Sequence, residues 1–451
     1  MSDYRSWGHF PDAPHRHVEP LTWRNAIPDL RQLPGPVLPF GLGRSYGDSC
    51  LNEDGTLLDV TGLDRFIALD EARRLLRCEA GVTLEQVLAL IVPRGYFLPV
   101  TPGTKYVTVG GAIANDVHGK NHHVAGTFGC HVTQFELLRS DGERLRCSPV
   151  ENNDLFRATI GGLGLTGLIT WAEFSLIPIR NAMIEMERIR FDNLDEFFEL
   201  SARSNDSWDY SVAWLDMQIG GKQLGRGVFM RGNHAKGDLG LEPSGDPFLS
   251  VPVNLPELLL NPLTMRLFNT GYYYAQLRRR VQKVVHYEPF FYPLDAIGDW
   301  NRAYGKAGFL QYQFVLPRSD DHRVIRQLIE RIVESHHGFI NVFKEFGDIP
   351  SPGMLSFPRP GVTLALDFPN RGRKTLALLD ELDAQVRGAG GVIYPAKDAR
   401  MSAADFQRGY PQWREFSRYV DPHFSSSFWR RVTPPGQRSS VQAFERSSAQ
   451  A

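Results

Sequence analysis

Cysteine is scarce: Cys50, Cys78, Cys130 and Cys147 are the only four in 451 residues. They form no C-x-x-C pair and no disulfide-framework spacing, which fits a reducing compartment and small buried hydrophobes. An excess of one charge is also missing, since the formal net charge is -1. Without surplus Lys and Arg to neutralise phosphates, nucleic acid is not expected as a general partner, although a local basic patch stays open. No stretch approaches the roughly 20 apolar residues of a membrane span. The opening residues Met1 to Gly8 show no basic segment followed by an apolar one, so no signal peptide is expected. The expected place is cytoplasmic, with any membrane contact peripheral at the inner face. There is no internal repeat and no Walker A sequence. What is present is an ordinary globular balance, 42% hydrophobic and 22% charged, in a chain long enough for two or three domains.

The pattern along the chain is mixed. Gly55–Val60, Arg74–Cys78 and Leu168–Ile177 read as strands from their alternation and β-branched content. Between them, Thr83 can cap a helix whose apolar residues Leu84, Val87, Leu88, Leu90 and Ile91 repeat at the helical period, ended by Pro93 and Gly95. Further on, Leu194–Ala202, Asp321–Ser335 and Lys374–Arg387 read as helices, and Phe309–Leu316 and Val362–Phe368 as strands. The class is α+β rather than a regular βαβ alternation. Residues 232–270 are rich in Pro, Gly and Leu without a clear period and read as a long loop or lid, in which Leu255, Leu258, Leu259, Leu260 and Leu263 can shelter an apolar chain or fold onto the core. The end, residues 433–451, has the composition of a disordered tail.

Chemistry concentrates in two glycine loops. The first is Gly41-Leu-Gly-Arg-Ser-Tyr-Gly-Asp48. Its glycines let backbone N–H groups approach an anion, with Arg44 and Ser45 adding charge and a hydroxyl. An ordinary glycine turn is an equal alternative. The second runs from Pro102 to His123, with Gly103, Thr108, Gly110, Gly111, Ala112 and Asn115 leading to His118, Gly119, Lys120, His122 and His123. An apolar turn running into a titratable patch suits a cofactor site. Gly162-Leu-Gly-Leu-Thr-Gly167 matches G-x-G-x-x-G, but it follows a helical segment and precedes a strand, which is the wrong context for a dinucleotide fold. A zinc reading of His118, His122 and His123 is weak, because Gly119 disfavours a helix and no further ligand set is near. No metal is expected, and a solvated histidine is the default for His122 or His123.

Together these segments resemble the vanillyl-alcohol-oxidase type of flavoprotein, and within it a branch acting on polyprenyl-phosphoribose. The resemblance is carried by the first glycine loop, Thr108–Ala114, His118–His123, Gly164–Gly167, Trp300–Gly305, Gly308–Val315, Asn341–Lys344 and Ala396–Asp398. It implies an FAD-binding domain in two parts, 1–180 and 393–432, around an α+β substrate domain at 181–392 built on an antiparallel sheet. It implies that Gly41, Gly43, Arg44, Ser45, Tyr46, Gly47, Gly103, Thr108, Gly110, Gly111, Ala112, Asn115, Gly119, Gly164 and Gly167 serve FAD. The flavin is then near Tyr46, His118, Lys120 and Lys397. Gln311, Gln313, Lys344, Thr363, Ala365, Phe291, Tyr292 and Lys120 match the substrate side. Covalent relatives carry a His in the first loop where Arg44-Ser45 stands, so FAD should be non-covalent. The cysteine that relatives offer to covalent inhibitors is Ala365 here, the neighbouring Asn position is Thr363, and a Tyr position is Phe291, with Tyr292 adjacent.

Oxidising a secondary alcohol takes a hydride and a proton from it, so a base is needed within reach. His118, Lys397 and Tyr46 are the candidates, and the sequence does not rank them. The plain alternatives are a salt bridge to Asp398 for Lys397 and packing for Tyr46. Lys120 and Lys344 can hold a substrate phosphate, or be solvated lysines. The leading expectation is FAD-dependent oxidation of the 2′-hydroxyl of a polyprenyl-phosphoryl-β-D-ribose to the 2′-keto sugar, completed by a separate keto-reductase. The alternatives are another sugar or polyol, or a non-catalytic flavin-fold binding protein.

Overall fold

The computed structural model describes residues 4–243, 249–251, 253–254, 261–319, 321–336 and 338–434. Three sheets carry the α+β architecture. A parallel three-stranded sheet aligns His17–Pro20, Thr56–Asp59 and Val37–Phe40. An antiparallel five-stranded sheet runs Phe66–Asp70, Leu75–Glu79, Leu168–Ser175, Val132–Leu138 and Arg144–Cys147. An antiparallel eight-stranded sheet draws all its strands from residues 183–393, in the order Arg280–His286, Met183–Phe191, Gly227–His234, Tyr210–Leu215, Asn341–Phe346, Gly361–Pro369, Phe309–Leu316 and Val392–Ile393.

The local elements follow from local chemistry. Thr83 and Gln86 form a reciprocal capping box, and the helix Leu84–Ile91 buries Leu84, Val87, Leu88 and Ile91 at its period. The helices Arg323–Ser335 and Arg373–Gly388 bury Ile325, Leu328, Ile329 and Ile332, and Leu378, Leu379, Leu382 and Val386. They share one core with Tyr312, Phe314, Leu364, Leu366 and Phe368 of the large sheet. Because strand side chains alternate, Gln311, Gln313, Thr363 and Ala365 face the other way. In register, Gln313 lies opposite Ala365 and Lys344 opposite Thr363. The glutamines and the lysine therefore stand on the sheet's free face for the same reason that the leucines are buried.

After the large sheet the chain returns to its beginning. Val37 donates its N–H to His423 O at 2.8 Å, Ser425 N–H donates to Val37 O at 3.0 Å, and Tyr46 N–H donates to Ala396 O at 2.9 Å. Arg431 spans the carboxylates of Asp48 and Asp398 at 2.7 and 2.8 Å.

Residues 232–270, expected as a long loop or lid, contain regular elements where they are described. The strand Gly227–His234 continues into them, and a helix spans Pro262–Tyr274. Its start is readable in retrospect: Asn261 accepts from Leu263 and Thr264 N–H, and Pro262 stands at the first position, where a missing N–H costs nothing. The leucines at 255 and 258–260, and the tail from 435, fall outside the described residues. Among the described residues no helix is long and apolar enough to cross a membrane.

Candidate functional site

The glycine loops and the free face of the large sheet meet around one cavity of about 850 Å³. That volume lies within the ~300–1,000 Å³ usual for cofactor and ligand pockets.

The loop wall is built from backbone. Gly43 has φ +61°, and a Cβ there would come 2.5 Å from Arg5 O. Gly47 cannot hold a side chain at all, since a Cβ would sit 1.6 Å from Asp398 O. Thr108 caps the short helix Val109–Ala114 by accepting from Gly111 N–H at 3.1 Å, and Asn115 Nδ2 donates to Gly111 O at 2.9 Å. The Arg44 guanidinium lies 3.9 Å from the Trp7 ring centroid, and its buried Nε has no hydrogen-bond partner among the described residues.

The sheet wall is built from side chains. Lys344 is buried and donates from Nζ to Gly119 O, and half-buried Lys120 donates to Phe291 O at 2.9 Å. Lys397 forms no pair with Asp398. That carboxylate belongs to Arg431, and Lys397 Nζ stands 3.7 Å from the Tyr46 ring centroid. Burial disfavours an ammonium, so the three lysines fall below their usual value. Lys120 is pushed down to about 8, with Asp295 opposing the shift. Lys344 is pushed down to about 7, helped by the charges of Lys120 and Lys397. Lys397 is pushed down to about 7, with Asp367 opposing.

His118 is held neutral. Burial lowers its pKa well below the usual value, and Lys344, His122 and Lys397 push the same way. Thr363 Oγ1 donates to Phe314 O at 2.7 Å, so it accepts from Gln313 Nε2 at 3.3 Å. The same amide nitrogen faces His118 Nε2 at 3.1 Å, which leaves that ring nitrogen as the acceptor. Its lone pair is therefore engaged, while the buried Nδ1 has no partner among the described residues. His122, for which a solvated side chain was the default, is buried against Phe346 with ring centroids 4.7 Å apart, and its pKa falls to about 3.

Of the residues expected to serve cofactor or substrate, Gly41, Gly43, Arg44, Ser45, Tyr46, Gly103, Thr108, Gly110, Gly111, Asn115, His118, Gly119, Gly164, Gly167 and Lys397 line the cavity. So do Lys120, Phe291, Gln311, Gln313, Lys344, Thr363 and Ala365. Gly47, Ala112 and Tyr292 stand behind the wall. Gly47 is pressed against Asp398, Ala112 is on the buried side of its helix, and Tyr292 bonds Thr101 Oγ1 at 2.6 Å. Tyr292 therefore does not take the place of Phe291 at the surface of the cavity.

Sequence reading missed Asp367 and Asp295. Asp367 is fully buried, accepts from Gln311 Nε2 at 2.7 Å and Tyr304 OH at 3.0 Å, and burial raises its pKa to about 7. It sits two residues beyond Ala365 on the same strand, so the alternation that placed Ala365 carried the signal. Asp295 lines the cavity, accepts from Lys105 N–H at 2.8 Å and is raised to about 6 by burial; its irregular segment carried no signal.

Comparison with known proteins decides the family. Residues 23–148 match a family described as an FAD binding domain, which takes in both glycine loops. A decaprenylphosphoryl-β-D-ribose oxidase of Mycolicibacterium smegmatis is 40% identical over 411 residues, 88% of this chain and 89% of the relative. The chain belongs to the decaprenylphosphoryl-β-D-ribose oxidase family. An uncharacterized protein of Streptomyces coelicolor is 33% identical over 78% of this chain and 100% of its own length. The human Δ(24)-sterol reductase is 35% identical over 126 residues, 28% of this chain and 24% of its own length. The family's cofactor is FAD, and this member is an FAD-dependent oxidoreductase. The cavity fits that cofactor: side-chain-free backbone lines one wall, Gly103 has nothing within 4 Å of where a Cβ would stand, and Arg44 Nε is an orphaned donor suited to an anion.

Proposed function

We propose that this enzyme oxidises the 2′-hydroxyl of a polyprenyl-phosphoryl-β-D-ribose to the 2′-keto sugar, with FAD held non-covalently. The observation that carries the reading is the set of side chains that line the cavity. Three depressed lysines, two glutamines and a neutral histidine face one cavity, in a chain 40% identical to a decaprenylphosphoryl-β-D-ribose oxidase across 88% of its length.

Alcohol oxidation breaks a C–H and an O–H bond. Bound FAD supplies the two-electron acceptor. The glycine loops and Arg44 hold its anionic part, and Tyr46, His118 and Lys397 stand where the loop wall meets the sheet wall. The protein takes the hydroxyl proton on Lys397 Nζ. Near pH 7 a substantial fraction of this amine is neutral and has a free lone pair, as a general base requires. His118 has its acceptor nitrogen engaged by Gln313 and is a poorer base. It positions Gln313, and Gln311 and Gln313 orient the sugar hydroxyls. Lys120 and Lys344 retain donors beyond their backbone contacts for the phosphate. A separate keto-reductase completes the epimerisation, and the enzyme works at the cytoplasmic face of the membrane as a peripheral protein.

The test is a short-chain polyprenyl-phosphoribose carrying deuterium at C2′. Slower bleaching of the oxidised flavin than with the protiated sugar, and a keto product at C2′, are the expected results. Equal rates together with oxidation at another carbon, or no oxidation at all, overturn the assignment.

A further inference from the structure

The helix Pro262–Tyr274 is anchored by a narrow stripe. Met265, Asn269 and Tyr273 are its buried residues, with Asn269 Nδ2 donating to Asp216 Oδ1 at 3.0 Å and Tyr273 OH to Asp192 Oδ1 at 2.8 Å. A second face helps build the site. Phe268 packs on Phe339 with centroids 5.7 Å apart, Tyr272 on Trp214 at 4.8 Å, and both line the cavity. A third face is largely exposed; among the described residues its Tyr274 ring lies near Arg190 and Arg226. Leu263 is 67% exposed, Leu267 66%, Tyr274 52%, and Leu277 in the following turn 91%. Positions 263, 267 and 274 fall on one side of a helix, so these residues form a row. The chain then enters the edge strand Arg280–His286, which among the described residues pairs in the sheet with Met183–Phe191 alone and where Val284 is 51% exposed.

Charge singles out the same segment. Residues 261–286 contain Arg266, Arg278, Arg279, Arg280 and Lys283 and no carboxylate, within a chain of net charge -1. Glu196 and Glu187 reach in from neighbouring elements to pair Arg279 and Arg280. Arg266, Arg278 and Lys283 are exposed and form no ion pair among the described residues. Exposed leucines flanked by basic residues on a helix are the pattern of a segment lying in a bilayer interface. Isolated exposed apolar residues are normal, but a row of them on a helix that also lines the cavity marks an interaction surface.

We propose that the face formed by Leu263, Leu267, Tyr274 and Leu277, with Arg266, Arg278 and Lys283, docks the enzyme onto an anionic lipid bilayer. Docking there sets the part of the cavity wall built by Phe268 and Tyr272 beside the lipid from which a membrane-borne donor is drawn. A second copy of the chain is the poorer occupant, because a two-fold contact through this face sets basic segment against basic segment. The inference rests on the lipid-linked donor proposed above only for what enters the cavity, and docking itself is measured without donor.

The experiment is co-sedimentation of the FAD-loaded chain with vesicles of phosphatidylglycerol and phosphatidylcholine, against vesicles of phosphatidylcholine alone. Binding to the anionic vesicles that weakens with salt is expected. Leu267→Glu with Leu277→Glu should lower binding at least ~10-fold, and Arg278→Gln with Lys283→Gln roughly fivefold per charge removed. Unchanged flavin content shows that the variants are folded. A wild-type chain that stays in solution with both vesicles, or leucine variants that bind as wild type does, overturns the proposal. So does a dimer in gel filtration that Leu267→Glu dissolves, which assigns the face to a second copy. Bleaching by a water-soluble short-chain donor, followed in the same variants without vesicles, separates the two readings. If the wild type bleaches with this donor yet binds neither kind of vesicle, the donor stands and the bilayer falls; if the variants lose docking and still bleach, both readings stand.

Discussion

One wall of the cavity recognises with backbone and the other with side chains. The loop wall, around Gly41–Gly47 and Gly103–Asn115, places Gly41, Gly43 and Gly47 where a side chain would collide, and leaves open space at Gly103. Its fit depends on side chains being missing. The sheet wall places Gln311, Gln313, Lys344 and Thr363 on one face of an antiparallel sheet, with Lys397 reaching in beside it. Its work depends on charge and on hydrogen-bond direction. Damage to the first wall should empty the cofactor site, and damage to the second should leave a yellow, slow enzyme.

The largest effect should come from Lys397→Ala. Removing a general base costs ~10²–10⁴ in rate, so flavin reduction by donor should fall by about that factor while the flavin content of the purified protein stays near wild type. Colourless K397A protein would move Lys397 to the cofactor-holding wall. The converse is Gly47→Ala, whose added carbon overlaps Asp398 O. Here bound FAD per chain should drop steeply, with the remaining loaded fraction turning over normally. Full FAD occupancy in that variant would contradict the loop wall as drawn.

The pH dependence sharpens the contrast. Lys397 works in its neutral form and its pKa lies near 7, so flavin reduction should rise with pH through that region and level off above it. The Asp367 carboxylate raises the lysine's pKa and Asn would not, so Asp367→Asn should move the rising limb to lower pH. A limb that stays in place in D367N means the carboxylate does not set the lysine's charge. The smallest effect belongs to Ala365→Cys. The side chain is at the cavity surface, and a thiol takes no part in the chemistry proposed. Turnover should change less than ~3-fold, while a thiol-directed reagent, harmless to wild type, should now inactivate. Precipitating the wild-type protein with acid should release the yellow colour into the supernatant if FAD is non-covalent.

Why some of this was readable in the sequence, and some not, follows from the same two walls. The capped helix at Thr83 and the strands Phe309–Leu316 and Gly361–Pro369 stand near where their periods put them, because each meets its core with one regular face. The same period of two places Gln311, Gln313 and Ala365 on the free face. Asp367 was open to that reasoning and was overlooked, because a buried carboxylate looks like a misplaced surface residue until its donors, Tyr304 and Gln311, are seen. The loop wall was legible as motif but not as geometry: nothing in Gly47 announces that Asp398, some 350 residues later, closes over it. Helix Pro262–Tyr274 was lost to composition. It buries only a narrow stripe, so no strong period marked it, and Asn261-Pro262 was the only start signal. His122 and Tyr292 were misjudged because packing against Phe346 and bonding to Thr101 are made between segments far apart in the chain.

The most direct test of the account is an anaerobic absorbance titration of the FAD-loaded protein with a short-chain polyprenyl-phosphoribose. Stoichiometric loss of the oxidised-flavin band is predicted, fast in the wild type and slowed ~10²–10⁴-fold in Lys397→Ala. A band that persists in the wild type through an excess of donor would contradict the donor, and one that disappears equally fast in both proteins would contradict Lys397 as the base on the sheet wall.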